Sequence, residues 1–370
     1  MLRTAHAPET VAAEFLRVEG ELRDLMTDMA DAVSQDVHLR TVEAFNAFDK
    51  RGNVILRNVT DLSHLASHAI ARIQRDNATA EGFSPQQDRR IADLQEMQHK
   101  ANHWRSRFSA IMTCGKRQMV GPSVPLYEPE TDAYDSNQPI FDALEDTILK
   151  LDFMVNSNRQ DSEALARGAF PDIRLPPQQF AAHGHAAYRV ALALGLRKTA
   201  RFLDVGCGGG VKVVMASHFF PTCHGLEFDP GYARAAEVVI EGAEVPNGKV
   251  IEADALAFEG YADYDVVYFF QPMQTKEGLY ALEQQIIDHV RPQTILIAPY
   301  LPFRSRFQEL GCAHIAGCVY LSATTEAEGN SIRDNAERTG LKVSPDVEAV
   351  PWGNVWRPAL KAFAANGFVP

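Results

Sequence analysis

The chain has 370 residues, with 36 Lys and Arg against 48 Asp and Glu, for a formal charge of −12. Both halves are net acidic, −7 over residues 1–180 and −5 over 181–370, so bulk electrostatic capture of DNA or RNA is not expected. Hydrophobic residues make up 46% and charged residues 23%, beside 24 Gly and 20 Pro. That balance excludes a wholly disordered or low-complexity chain, and the length suits two domains. The five cysteines, Cys114, Cys207, Cys223, Cys312 and Cys318, are odd in number and form no CxxC pair. Such usage fits a reducing compartment better than a disulfide scaffold. No apolar run reaches 18 residues and the N-terminus lacks an apolar leader core, so the expectation is a cytoplasmic protein without a membrane span.

The first half reads as helices. Val11, Phe15, Leu22, Leu25, Met26 and Met29 recur at three- and four-residue steps over residues 8–33, and Leu62, Leu65, Ile70 and Ile73 do so over 54–76. A third helix begins at the capping box Ser84-Pro85-Gln86-Gln87 and runs to Met112. Residues 115–139 break the pattern with Gly115, Gly121, Pro122, Pro125, Pro129 and Pro139. A shorter helix follows over about 140–156, and another starts near Gln178 and runs to Leu196.

From there short apolar runs alternate with helical stretches. The runs are 202–205, 223–228, 250–252, 266–270 and 294–298, and the helices between them are 211–219, 232–240 and 279–289. Alternation of that kind marks a parallel α/β sheet with helices on its faces. Gly317–Leu321 reads as a late strand and Thr324–Thr339 as a helix, while a final antiparallel strand is not evident. The expected division is a helical domain over 1–175 and an α/β domain over 176–370, with the tail around Trp352 and Trp356 packing on the helices.

Asp204-Val-Gly206-Cys207-Gly208-Gly209-Gly210 follows a buried strand and opens a helix. Glycines there let the backbone turn sharply and approach a ligand closely, beyond the carboxyl ends of the strands. A dinucleotide turn requires a small third residue, and Val211 or Val213 stands at that position. NAD therefore fits poorly.

The same stretch resembles motif I of the class I S-adenosylmethionine-dependent methyltransferases, D/E-x-G-x-G-x-G, met by Asp204, Gly206, Gly208 and Gly210. The likeness continues over roughly 178–300. His224-Gly-Leu-Glu227-Phe228-Asp229 is similar to the second strand, Glu252-Ala-Asp254-Ala255 to the third strand and its turn, and Tyr264 to Pro272 to the fourth. The resemblance implies a Rossmann-like methyltransferase sheet preceded by an all-α region, with S-adenosylmethionine as cofactor. It implies that Asp204, Gly206, Cys207, Gly208 and Gly210 surround the amino-acid tail, that Glu227 with Phe228 meets the ribose, and that Asp254 with Ala255 meets the adenine. The end of the fourth strand, with Tyr268 and Gln271, would face the transferred methyl.

The acceptor is not legible. Phe270-Gln271-Pro272-Met273 lacks the Asn or Asp of the turn used by amino-methylating relatives, so nucleic-acid N-methylation is not supported. A small-molecule or protein acceptor with an O or N nucleophile is expected, with a homodimer possible. His183 and His185 are candidate general bases near neutral pH, and Tyr127 and Tyr134 candidates for a lid. The rival expectation is a non-catalytic protein that holds the cofactor or its demethylated product while the helices engage a partner. Glu96, His99 and His103, and Asp61, His64 and His68, share helix faces. A di-iron bundle wants Glu-x-x-His twice plus two further carboxylates, so no metal is expected.

Overall fold

The computed structural model describes residues 8–35, 40–76, 84–121, 123–127, 138–156, 162, 175–196, 198–340 and 355–368. The chain forms two compact units, Met1–Pro122 with Val343–Pro370, and Ser123–Lys342. The division therefore falls at 122/123 rather than near 175, and the C-terminal segment belongs with the helices. The reason is packing: Trp356, Leu360 and Phe363 of the last helix bury their side chains in the helical core. Trp352 lies outside the described residues.

The helical unit contains α1 (Pro8–Ser34), α2 (Val42–Asp76), α3 (Pro85–Val120) and, from the far end of the chain, a helix over Arg357–Ala365. The apolar stripe of α1, Phe15, Val18, Leu22, Leu25 and Met29, meets Ile55, Val59 and Leu62 of α2 and Trp104, Phe108 and Ile111 of α3. Phe15 stacks on Trp104 with centroids 4.9 Å apart. The box at Ser84 forms as expected: Gln87 N–H donates to Ser84 Oγ, and Ser84 N–H to Gln87 Oε1. Helix α2 starts twelve residues before the expected 54. Gly52 sits inside it, where a Cβ would lie 2.7 Å from the Phe108 ring. Tertiary packing overrides propensity there.

The second unit is an α/β sheet. After α4 (Gln138–Asn156) and α5 (Pro177–Ala193) come β1 (Arg201–Val205), α6 (Val211–Ala216), β2 (Thr222–Glu227), α7 (Pro230–Gly242), β3 (Lys249–Glu252), β4 (Val266–Phe269), α8 (Lys276–His289) and β5 (Ile295–Ile297). The chain then forms α9 (Leu301–Arg306), β6 (Ala313–Ala316), β7 (Val319–Leu321) and α10 (Glu326–Glu337), so the last helix of the chain is α11. The strand order is 3-2-1-4-5-7-6. Strands β1 to β5 are parallel, and β7 runs antiparallel to both β5 and β6. This is the seven-stranded Rossmann-like sheet that the resemblance implies. Strands β1, β2, β4 and β5 are buried along nearly their whole length, as central strands of a parallel sheet covered on both faces are. The late strand read at Gly317–Leu321 is β7, and it is itself the antiparallel strand; the strand not evident from sequence is β6, four residues long and hairpinned to β7 through Gly317 at φ +55°. Strands that short leave too few residues to show a pattern.

Candidate functional site

The strand order reverses between β1 and β4, which opens a crevice at their carboxyl ends, the usual ligand position in open α/β sheets. Asp204 of β1 and Tyr268 of β4 are register partners beside it. Beyond Val205 the turn uses three left-handed glycines, Gly206 (φ +76°), Gly208 (φ +51°) and Gly210 (φ +81°). Two of them are also sterically required. A Cβ on Gly206 would stand 2.7 Å from Pro272 Cβ, and one on Gly210 would stand 2.9 Å from Ala236 Cβ.

Asp204 is completely buried, and neither of its carboxylate oxygens has a hydrogen-bond partner among the described residues. Burial raises its pKa to about 7, against the pull of Lys212 and with repulsion from Glu227 adding to the rise. An unpaired carboxylate in such a place is costly.

Glu227, at the end of β2, is buried but well partnered. Its Oε2 accepts from Gly208 N–H at 2.8 Å, and its Oε1 from Phe228 and Asp229 N–H at 2.9 Å each. One side chain thus ties the glycine turn to the β2–α7 turn, and the carboxylate keeps a remaining acceptor site. Asp229 caps α7 through Gly231 N–H at 2.7 Å and Tyr232 N–H at 3.2 Å. Asp254 is exposed beyond β3 and accepts from Leu256 N–H at 2.9 Å, while the carbonyl of buried Ala255 accepts from the Tyr261 hydroxyl at 2.8 Å. The Cys207 thiol turns onto the β2 backbone, where a Cβ on Gly225 would be 2.4 Å from Sγ, and its N–H bonds Leu226 O at 3.1 Å. Cys207 therefore shapes the turn and presents neither thiol nor amide to a ligand.

On the acceptor side, Tyr268 is buried, which pushes its phenol pKa well up. The Phe180 ring of α5 meets it edge-on at 5.1 Å. Gln271 follows β4 in the left-handed region at φ +45°, a conformation that non-glycine residues seldom adopt away from constrained sites. One turn after Phe180, the Nδ1 of His183 lies 3.1 Å from the Tyr127 hydroxyl, which is itself 3.7 Å from Cys318 Sγ. Burial lowers the pKa of His183 to about 4, so it is neutral at pH 7. His185 takes another course, with its ring near Phe219 and its Nε2 buried without a hydrogen-bond partner.

Tyr127 arrives on a short strap that sequence reading did not foresee. The buried Arg189 guanidinium of α5 donates to Val124 O at 2.6 Å and Pro125 O at 2.8 Å, and Leu126 enters the core. The Tyr127 ring then lies against Gly317, where a Cβ would be 2.6 Å away. Tyr134 lies outside the described residues. Among the described residues, no three His, Cys, Asp or Glu side chains gather as a metal ion would need.

These features fit S-adenosylmethionine. An ammonium would satisfy the orphaned oxygens of Asp204, the left-handed glycines clear room for close approach, and Glu227 retains acceptor capacity where a ribose edge would lie.

No protein-family model matches the chain, and no curated protein matches it. Solved structures do. One is an RNA methyltransferase from Salinibacter ruber in complex with S-adenosyl-L-homocysteine, 18% identical, covering 34% of this chain and 76% of its own, with a TM-score of 0.28. Another is a SAM-bound amino pentose methyltransferase from Micromonospora echinaspora, 21% identical, covering 36% and 59%, at 0.26. A precorrin-6y C5,15-methyltransferase from Geobacter metallireducens is 17% identical, covering 36% and 84%, at 0.27. This chain thus spans only about three fifths of the second of these. From its strand order, its antiparallel β7 and the crevice between β1 and β4, the sheet unit has the fold of the class I Rossmann-like methyltransferases.

Proposed function

We propose that the protein binds S-adenosylmethionine in the crevice at the ends of β1, β2 and β3 and transfers its methyl group to an O or N nucleophile of a small molecule or protein. One observation carries the reading: the buried carboxylate of Asp204, with both oxygens unbonded, beside three left-handed glycines at the switch point. Asp204 would take the ammonium of the amino-acid tail, Glu227 the ribose hydroxyls, and the Asp254–Ala255 turn the adenine edge.

When bound, the sulfonium supplies a methyl that needs no further activation. The work of this chain's residues is then positioning. Phe180 and Tyr268 form an apolar wall that excludes water from the reacting side. Tyr268, its phenol held protonated by burial, orients an acceptor without serving as a base. His183, neutral at pH 7 and a weak base because burial lowers its pKa to about 4, would orient an O–H or N–H nucleophile through a hydrogen bond rather than carry its proton away.

The test is direct. In Asp204→Ala and Glu227→Ala, calorimetric binding of S-adenosylmethionine is expected to vanish while circular dichroism stays unchanged. Wild-type affinity in both variants overturns the assignment. In thermal unfolding, S-adenosylmethionine and S-adenosylhomocysteine at about 100 times Kd should each add roughly 2.7 kcal/mol, and NAD nothing.

A further inference from the structure

An amino-acid tail bound at Asp204 brings a carboxylate as well as an ammonium, and it brings that carboxylate to an acidic place. Asp204, Glu227 and Asp229 all stand at the ends of β1 and β2, and all three are buried. Glycine turns commonly hold anions with their amides, but in this one most of the amides are already engaged. Gly206 N–H and Cys207 N–H both donate to Leu226 O, at 2.8 and 3.1 Å, Gly208 N–H to Glu227 at 2.8 Å, and Gly210 N–H to Cys207 O at 3.0 Å. Four of the five amides from Gly206 to Gly210 are therefore engaged within the protein. Helix α6, six residues long, is too short for its dipole to do the work.

A cation is needed, and the segment supplies one. Between Arg201 and Arg234, Lys212 is the only Lys or Arg. Arg201 begins β1 and lies over the Tyr264 ring at the opposite end of the strand, and Arg234 is exposed on α7. Lys212 is half-buried in the first turn of α6, and its Nζ sits 5.8 Å from the centroid of Phe180. That ring abuts Tyr268 at 5.1 Å, and Tyr268 is the strand neighbour of Asp204. The cation–π contact thus holds the amine at the same end of the sheet as the orphaned carboxylate, and Asp204 feels its charge.

We propose that Lys212 binds the carboxylate of the cofactor's amino-acid tail, forming with Asp204 a two-charge reader that selects a zwitterion. The inference rests on the cofactor reading above and goes beyond it. Acid, ammonium, carboxylate and lysine would alternate in sign along one row, so each charge in the ligand is compensated as it leaves water. An adenosine thioether without the tail satisfies neither end.

The experiment is isothermal titration calorimetry of wild type, Lys212→Met and Lys212→Arg with two ligands, S-adenosylhomocysteine and methylthioadenosine, which lacks the amino-acid tail. Lys212→Met is expected to bind S-adenosylhomocysteine about tenfold or more weakly, the size of a charge-assisted hydrogen bond, and methylthioadenosine unchanged. Lys212→Arg should recover most of the loss. Equal affinity of wild type and Lys212→Met for S-adenosylhomocysteine overturns the proposal, as does an equal loss for both ligands. Wild-type protein that binds neither ligand overturns the cofactor reading itself, a result separable from the other two.

Discussion

The two units bury different things. Among the described residues of the helical unit the only buried polar side chain is Gln118, which accepts from Asn366 at 3.1 Å. The sheet unit buries Arg189, Asp204, His224, Glu227, Asp229 and Glu283. Most of these are structural. Arg189 clamps the strap, His224 bonds the Tyr264 hydroxyl at 2.7 Å, and Glu283 receives Tyr300 at 3.0 Å together with Arg306. Asp204 differs from all of them because neither of its oxygens has a hydrogen bond. The contrast teaches that a buried charge is informative in proportion to what fails to satisfy it: a saturated one specifies packing, and an unsatisfied one specifies a ligand.

The largest expected effect tests the helical side of that contrast. Trp356→Ala should cost about 3–5 kcal/mol, because the ring is fully buried between α1, α3 and α11. Below the lowered melting temperature, affinity for S-adenosylhomocysteine should be unchanged. A loss of affinity in the folded variant would break the separation of roles.

Asp204→Asn tests the other side and has a definite sign. The carboxyl has a pKa of about 7 in the folded protein and 3.8 as its ordinary value. Between those values the folded state holds a proton that the unfolded state has lost, so stability falls as pH rises from about 4 to 7 and then levels. Without ligand, the Asn variant should be more stable than wild type at pH 8, by up to about 4 kcal/mol, and equal to it near pH 3. It should also bind S-adenosylhomocysteine far more weakly. In wild type the ligand's ammonium prefers the ionised acid, so affinity should rise about tenfold between pH 6 and pH 8. Denaturant titration and calorimetry across pH check both, and a flat profile removes Asp204 from the site.

Gly206→Ala meets two obstacles, a left-handed φ and the Pro272 ring. A loss of about 2 kcal/mol in stability is expected, with ligand affinity falling because the turn itself moves. An Ala variant as stable and as tight as wild type would show that the turn tolerates a side chain. The smallest effect belongs to Tyr127→Phe. Removing the hydroxyl from His183 Nδ1 should move the imidazole pKa by up to about one unit from its present value near 4. Proton NMR titration of His183 measures it, and an unmoved resonance would mean that the 3.1 Å contact carries no bond.

Much of this was legible in the chain itself, for local reasons. Glycines in the left-handed region at 206, 208 and 210 leave a spacing that few other structures demand, and acids at strand ends, such as Glu227, follow apolar runs at family-like intervals. Lys212 is the lone cation between Arg201 and Arg234, but sequence reading passed over it, because its meaning depends on knowing that most of the turn's amides are already engaged. The strap was hidden. Tyr127 meets His183 across 56 residues and Cys318 across 191, and no local pattern encodes such contacts.

By itself the sequence determined the element types, the glycine turn and the acids around it, because periodicity and φ > 0 are properties of a few neighbouring residues. Tertiary structure alone decided that the division falls at 122/123, that β7 runs antiparallel beside β5, and that Asp204 is, among the described residues, the one buried acid left without a hydrogen bond. Each of those depends on which distant surfaces exclude water together, and burial belongs to the folded chain as a whole.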